Sequence, residues 1–264
     1  MTELEDEADN RLYILFWQLY ALVYDRILLS LLPYRRLQDA VAKSLNPRSE
    51  AYILDAGCGT GNLLYHLIRL KPEVKAVGID FAPAMIRRAR LKCRKYRTHR
   101  QRIYLRKVDL NSKIPYNNGE FQAVACINVL YAVKRPDFLL REINRVLKDR
   151  GRLVLVTPPY QPKMGPIFIE HVENMKNRRP YFWPFFLAGQ LLSLAPWLFT
   201  FLILNMFIKK QESFHFLKEE ELVSLVESCG FKLISLKKIY GNQDWFLEAE
   251  KINEKPGNKI SFSN

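Results

Sequence analysis

Between Tyr52 and Thr157, short apolar runs alternate with stretches whose apolar side chains recur every three or four residues. That alternation predicts strands at Tyr52–Ala56, Val74–Asp80, Arg102–Val108, Gln122–Ile127 and Arg152–Thr157, and helices at Asn62–Leu70, Pro83–Lys95 and Asp137–Leu147. Further on, Lys218–Cys229 has helical spacing with Gly230 as its stop, and Phe231–Ile239 and Trp245–Ala249 read as strands. Strands separated by helices in this way predict an α/β fold built on a doubly wound parallel sheet.

Two apolar segments stand outside that rhythm. Leu12–Leu32 is rich in aromatic residues, carries Asp25 and Arg26 in its middle, and predicts one or two helices ahead of the core. Pro33 and the Arg35-Arg36 pair punctuate it, and a short amphipathic helix, Leu37–Leu45, follows and ends near Asn46-Pro47. Pro180–Ile208 contains no charged residue and is interrupted by Pro184, Gly189 and Pro196. Its length suits one membrane crossing of about 20 residues. The strands on either side of it belong to one sheet, however, so the chain must leave and return on the same side, and 29 residues cannot cross twice. The expectation is a re-entrant hairpin bent at Pro196, or helices lying in the headgroup plane. Lys176, Arg178 and Arg179 at one end and Lys209 and Lys210 at the other would face one anionic leaflet. A buried lid over the site, or a dimer interface, is the competing reading. The chain then divides into an N-terminal helical cap (1–47), a core (48–160), an apolar insertion (161–216), the C-terminal part of the core (217–250) and a flexible tail (251–264).

With 264 residues and 48% hydrophobic content, the chain can bury one α/β core and still carry an insertion. Its net charge of +14 points to an anionic partner surface, a membrane or a nucleic acid. The densest basic block, Arg87–Lys107, has no acid in it; a solvated helix face plus a loop is its plainest explanation. Cys58, Cys93, Cys126 and Cys229 are far apart and form no C-x-x-C pair, which argues against both a zinc site and a disulfide framework and suits a reducing cytoplasm; no metal is expected. Glu3, Glu5, Asp6, Glu7 and Asp9 at the start speak against a cleavable secretory signal.

The chemistry concentrates at Asp55-Ala56-Gly57-Cys58-Gly59-Thr60-Gly61, with Asp80 closing the next strand. A strand ending in a glycine-rich turn, a helix, and a second strand ending in a carboxylate hold an adenosine-type ligand at the carboxyl edge of a sheet. Glycines let the backbone approach, amides at the helix start donate, and the carboxylate accepts from ribose hydroxyls. The spacing G-x-G-x-G behind an aspartate, in place of G-x-G-x-x-G, resembles motif I of the class I S-adenosylmethionine-dependent methyltransferases. Three further stretches fall in register with that family: Gly78-Ile79-Asp80-Phe81, Val108-Asp109-Leu110 with Ile114-Pro115-Tyr116, and Arg145-Val146-Leu147-Lys148 before Gly151.

The resemblance implies a Rossmann-like, seven-stranded, mostly parallel sheet whose last strand is antiparallel, with S-adenosylmethionine as cofactor. It assigns cofactor binding to Asp55, Ala56, Gly57, Cys58, Gly59, Gly61, Asp80, Phe81, Asp109, Leu110 and Asn128. Asp55 would order the turn and hold the methionine end, Asp80 would clasp the ribose, and Asp109 would accept from the adenine amino group. Tyr24-Asp25-Arg26 is similar to a Tyr-Asp pair that precedes the core in quinone and other small-molecule methyltransferases. Gln122, Lys148-Asp149-Arg150-Gly151 and Thr157-Pro158-Pro159-Tyr160 depart from the ubiquinone and menaquinone subgroup and leave the particular quinone open.

Tyr24, Tyr131 and His171 are the candidate substrate-pocket residues, and His171, just after the fifth strand, is the candidate base if a hydroxyl acceptor needs one. Thr157-Pro158-Pro159-Tyr160 looks like a base-stacking motif of amino-directed nucleic-acid methyltransferases but sits on the wrong strand. The reading is transfer of a methyl group to a hydrophobic, lipid- or quinone-like acceptor at the cytoplasmic face of a membrane. Its rivals are an RNA-modifying methyltransferase that uses the Arg87–Lys107 block, and a non-catalytic cofactor-binding protein at a membrane.

Overall fold

The computed structural model describes residues 16–21, 23–47, 50–94, 102–210 and 214–252; the acidic start, the middle of the basic block with His99 and the tail from 253 lie outside them. Seven strands form one sheet: β1 (Tyr52–Ala56), β2 (Lys75–Asp80), β3 (Ile103–Lys107), β4 (Phe121–Ile127), β5 (Leu147–Thr157), β6 (Phe231–Ile239) and β7 (Asp244–Lys251). Their order is β3-β2-β1-β4-β5-β7-β6. The first five run parallel, and β7 is antiparallel to both β5 and β6. The order reverses between β1 and β4, which is where an open α/β sheet leaves a crevice at its carboxyl edge. β1, β4 and β5 carry near-continuous buried runs, as strands covered on both faces must.

Helices α1 (Leu32–Ser44), α2 (Asn62–Leu70), α3 (Pro83–Arg94), α4 (Pro136–Val146), α5 (Gly165–Arg178), α6 (Trp183–Lys210) and α7 (Glu219–Ser228) surround the sheet, together with helical residues 16–21 and 23–28. Three expectations need correction. Pro33 does not break the chain before Leu37; it occupies the first turn of α1, where its missing N–H has no intrahelical partner to lose. β5 begins at Leu147, because a register shift against β4 between Phe121 and Ala123 absorbs Lys148–Gly151. The third concerns the apolar insertion: α6 is one helix straight through Pro196, not a hairpin bent there.

Tertiary contacts on both sides of Pro196 explain that continuity. Before it, Gln190 donates to the Ser30 carbonyl at 3.0 Å; after it, Trp197 lies under the Arg26 guanidinium at 4.9 Å and Phe201 stacks on Tyr20 at 5.7 Å. These anchors outweigh one lost i→i−4 bond, a penalty of about 3 kcal/mol. Gln190, Leu194, Trp197, Leu198, Phe201 and Leu204 recur at helical spacing, so one stripe of α6 faces the protein. The opposite stripe is apolar too: Phe185, Leu192 and Phe199 are 77%, 79% and 70% exposed.

Candidate active site

The turn after β1 is tied to β2, since the amides of Gly57 and Cys58 both donate to the Ile79 carbonyl, at 2.8 and 2.9 Å. Gly57 has φ +80°, and a Cβ there would come within 2.1 Å of a Val129 methyl, so the turn requires glycine. Gly59, φ +51°, differs: a Cβ would meet nothing nearer than the Met85 sulfur at 4.0 Å. It leaves backbone open to the cavity, the room a closely bound ligand needs. Asp80 stands opposite, with Oδ2 accepting from the Gly59 amide and Oδ1 from the Ala82 amide, both at 2.9 Å. Burial pushes its carboxyl up to about 6 against the pull of those two amides. Each oxygen keeps a lone pair for a hydroxyl.

Phe81, Met85, Asp109 and Leu110 continue the cavity wall beyond Asp80. Asp109 Oδ1 accepts from the Asn111 amide and side chain at 2.9 and 3.0 Å. The segment beyond is clamped by α4: Glu142 accepts from the Ile114 amide at 2.7 Å, and Arg145 donates to the carbonyls of Ile114 and Tyr116 at 2.8 Å. Arg145 thus holds in place the segment that follows Asp109 in the wall.

The other half of the cavity is aromatic. Tyr20, Tyr24, Tyr34 and Tyr240 follow one another with centroid separations of 5.5 Å (Tyr20–Tyr24), 6.2 Å (Tyr24–Tyr34) and 6.3 Å (Tyr34–Tyr240). Phe201 of α6 closes the row, and Tyr131 stacks on Phe216 at 5.3 Å across the opening. The amino-terminal helix that brings two of these rings, Tyr20 and Tyr24, is bolted to the glycine turn. Asp25 accepts from Thr60 Oγ1 at 2.6 Å and from Asn62 Nδ2 at 3.1 Å, and Lys92 Nζ sits 3.1 Å from the same carboxylate. Lys92 therefore leaves the basic block and points inward, with burial lowering its ammonium and Asp25 opposing that shift.

Of the residues expected from sequence, Tyr24, Gly57, Gly59, Asp80, Phe81, Asp109, Leu110, Asn128 and Tyr131 line one cavity. Asp55, Ala56, Cys58 and Gly61 stand behind its wall. Asp55 is 2% exposed, and burial, then the nearby Asp80, push its carboxyl up to about 8. His171 is the clear correction. It lies outside the cavity, 2% exposed, with Nδ1 accepting from the Leu32 amide at 3.1 Å and Nε2 3.0 Å from Gln190 Oε1; it latches α1 to α6. Tyr160 is 55% exposed and beneath Lys218, consistent with a loop exit and not a stacking wall. Sequence reasoning missed Asp244, Tyr34 and Tyr240, all of which line the cavity. Asp244 was discoverable, because an antiparallel last strand must begin at the edge where the parallel strands end. Among the described residues, no cluster of His, Cys, Asp or Glu could hold a metal.

A methyltransferase domain profile matches residues 47–184, more than half of the chain. The chain belongs to this methyltransferase family. It is 26% identical over 222 residues to a demethylmenaquinone methyltransferase of Tropheryma whipplei, covering 83% of each chain. It is 34% identical over 134 residues to a ubiquinone/menaquinone biosynthesis C-methyltransferase of Citrifermentans bemidjiense, covering 49% of this chain and 54% of that one. The crystal structure of an S-adenosylmethionine-dependent methyltransferase from Aquifex aeolicus shares the fold, with a TM-score of 0.56 at 16% identity over 81% of this chain and 89% of that one. The cofactor of this methyltransferase is S-adenosylmethionine, and the open backbone at Gly59 facing a buried carboxylate fits its nucleoside. Gly59→Ala is expected to weaken S-adenosylhomocysteine binding at least about 10-fold, while the left-handed backbone costs the fold about 1–2 kcal/mol. Calorimetry and thermal unfolding on the same sample separate the two effects.

Proposed function

We propose that this methyltransferase places a methyl group on a ring carbon of a prenylated hydroquinone held at an anionic membrane surface. The carrying observation is the continuity of apolar surface: an aromatic-walled cavity is roofed by Phe201 of α6, and on the far side of the same helix Phe185, Leu192 and Phe199 are exposed. A planar ring stacks between tyrosines, and a long apolar tail can run out along the helix. The names of the Tropheryma and Citrifermentans relatives point to the same acceptor class. A sulfonium methyl is electrophilic, so the ring must be electron-rich, the hydroquinone and not the quinone.

When bound, S-adenosylmethionine supplies an activated methyl group. The protein's part is alignment and exclusion of water. Asp80 and Gly59 fix the sugar, the tyrosine row orients the acceptor ring, and the amino-terminal helix with α6 covers both. The helix of about 42 Å is long enough to cross a bilayer, and Trp183–Leu204 is also apolar enough. Its contacts from Gln190 to Leu204 hold it flat against the domain, which favours lying in the interface over spanning. Offering radiolabelled S-adenosylmethionine to separated lipid, RNA and soluble-metabolite fractions should place label in the lipid fraction. Label in RNA would favour the basic block as the working surface.

A further inference from the structure

Because β7 runs antiparallel, its first residue lies at the carboxyl edge of the parallel strands. Trp245 pairs with Thr157 at the end of β5, so Asp244 emerges beside the ends of β5 and β4. Asn128, at the end of β4, bonds through its amide to the Val156 carbonyl at 2.8 Å and reaches across with Nδ2 to Asp244 Oδ2 at 3.2 Å. Both line the cavity, and Asp244 is 4% exposed. Its carboxylate meets the Asn128 side chain through Oδ2.

The cavity holds three carboxylates, Asp80, Asp109 and Asp244, and no histidine among the described residues. Asp80 is committed to two amides at the sugar position, and Asp109 is bound by Asn111 on the far wall. Only Asp244 stands on the side of the tyrosine row. With strands about 4.8 Å apart, β2 and β7 lie four places from each other in the sheet, so Asp80 and Asp244 face opposite ends of the crevice.

We propose that Asp244 is the base that takes the proton of the acceptor's ring hydroxyl, held in position by Asn128. This rests on the hydroquinone reading above. The O–H pair is released into the ring as the proton passes to the carboxylate. The adjacent ring carbon forms its bond to the methyl while the S–C pair stays on sulfur. The hydrogen on that carbon then leaves as a proton to water, the C–H pair flows back through the ring to the oxygen, and that oxygen takes up the proton held by Asp244. Burial pushes the Asp244 carboxyl up to about 7, against the Asn128 hydrogen bond, which matches a base to neutral pH. The other groups around it are poor competitors. Tyr34 is pushed up to about 12 and Tyr240 well above the usual phenol range, mainly by burial, and Lys163 is a cation at the rim.

The test is Asp244→Asn, assayed at saturating S-adenosylmethionine against a short-chain prenylated naphthohydroquinone, with Asp244→Glu as the conservative partner. The expected kcat loss is about 100-fold or more, with S-adenosylhomocysteine affinity within about 3-fold of wild type. The kcat of wild type should fall as pH drops through about 7; that limb should vanish in Asp244→Asn and persist in Asp244→Glu. Saturating donor separates this limb from Asp80, whose titration acts through donor affinity. An active wild type matched by an equally active Asp244→Asn with its limb intact would overturn the assignment and leave the hydroquinone reading standing. So would a folded Asp244→Glu without the limb, should Asp244→Asn fail to fold. A wild type inert toward hydroquinones would overturn both.

Discussion

Replacing Asp80 with asparagine should weaken S-adenosylhomocysteine binding by about 100-fold or more. Two hydroxyl-to-carboxylate hydrogen bonds at about 1.5–3 kcal/mol each are at stake, and about 1.4 kcal/mol is tenfold in affinity. An asparagine also brings an NH2 group against one of two amides, Gly59 or Ala82, that can only donate. The same carboxylate sets a pH dependence. Its folded-state pKa is raised to about 6, chiefly by burial, and the ionised form is the one that would accept from ribose hydroxyls. Wild-type affinity should therefore be full above about pH 7 and fall as pH drops through 6, whereas Asp80→Asn should be flat.

Stability without ligand should run the other way. Asp80, Asp244 and Asp55 all have raised pKa values, about 6, 7 and 8, so the folded state binds protons more tightly than the unfolded chain. That contribution is complete below the unfolded carboxylate range and is lost as pH rises through 6 to 8. Calorimetric titration and thermal unfolding across that range check both trends; parallel trends would contradict the assignment of Asp80.

Changing Phe185, Leu192 and Phe199 together to serine should abolish most vesicle binding. Each side chain is at least 70% exposed, so the core is untouched, yet each would bury about 1.5–3 kcal/mol of apolar surface in a membrane. Even half of the summed effect is a loss of about 100-fold in partitioning. Co-sedimentation with anionic vesicles reads it, with unchanged thermal unfolding as the control. Phe201→Ala offers the contrast: it faces Tyr20 and the cavity, so its effect should fall on folding and turnover. Equal sedimentation of the triple variant and wild type would mean that the outer stripe of α6 meets something other than lipid.

The parts legible in the sequence were those fixed by local chemistry. Gly57, Gly59 and Asp80 advertise themselves because a tight turn and a strand-end carboxylate leave a spacing that few other structures produce. The strands followed from apolar runs bounded by turns, with the boundary of β5 mistaken because Gly151, which reads as a turn, is absorbed by a register shift. What sequence could not supply were properties of the assembled fold. His171 sits in a position suggestive of chemistry, but its partners, Leu32 and Gln190, come from distant helices. Lys92 reads as one more charge in a basic block until Asp25, far earlier in the chain, is brought against it. Pro196 predicts a bend that tertiary contacts on both flanks suppress. Asp244 gains its place only through the antiparallel direction of β7.

The destination of the methyl group decides the chemistry. Purified protein should be incubated with S-adenosylmethionine carrying a deuterated methyl and with a prenylated hydroquinone dissolved in anionic vesicles, and the extract analysed by mass spectrometry. A hydroquinone that has gained one deuterated methyl on a ring carbon is the predicted product. Hydroquinone recovered unchanged, while the same protein labels RNA or a soluble metabolite, would contradict it.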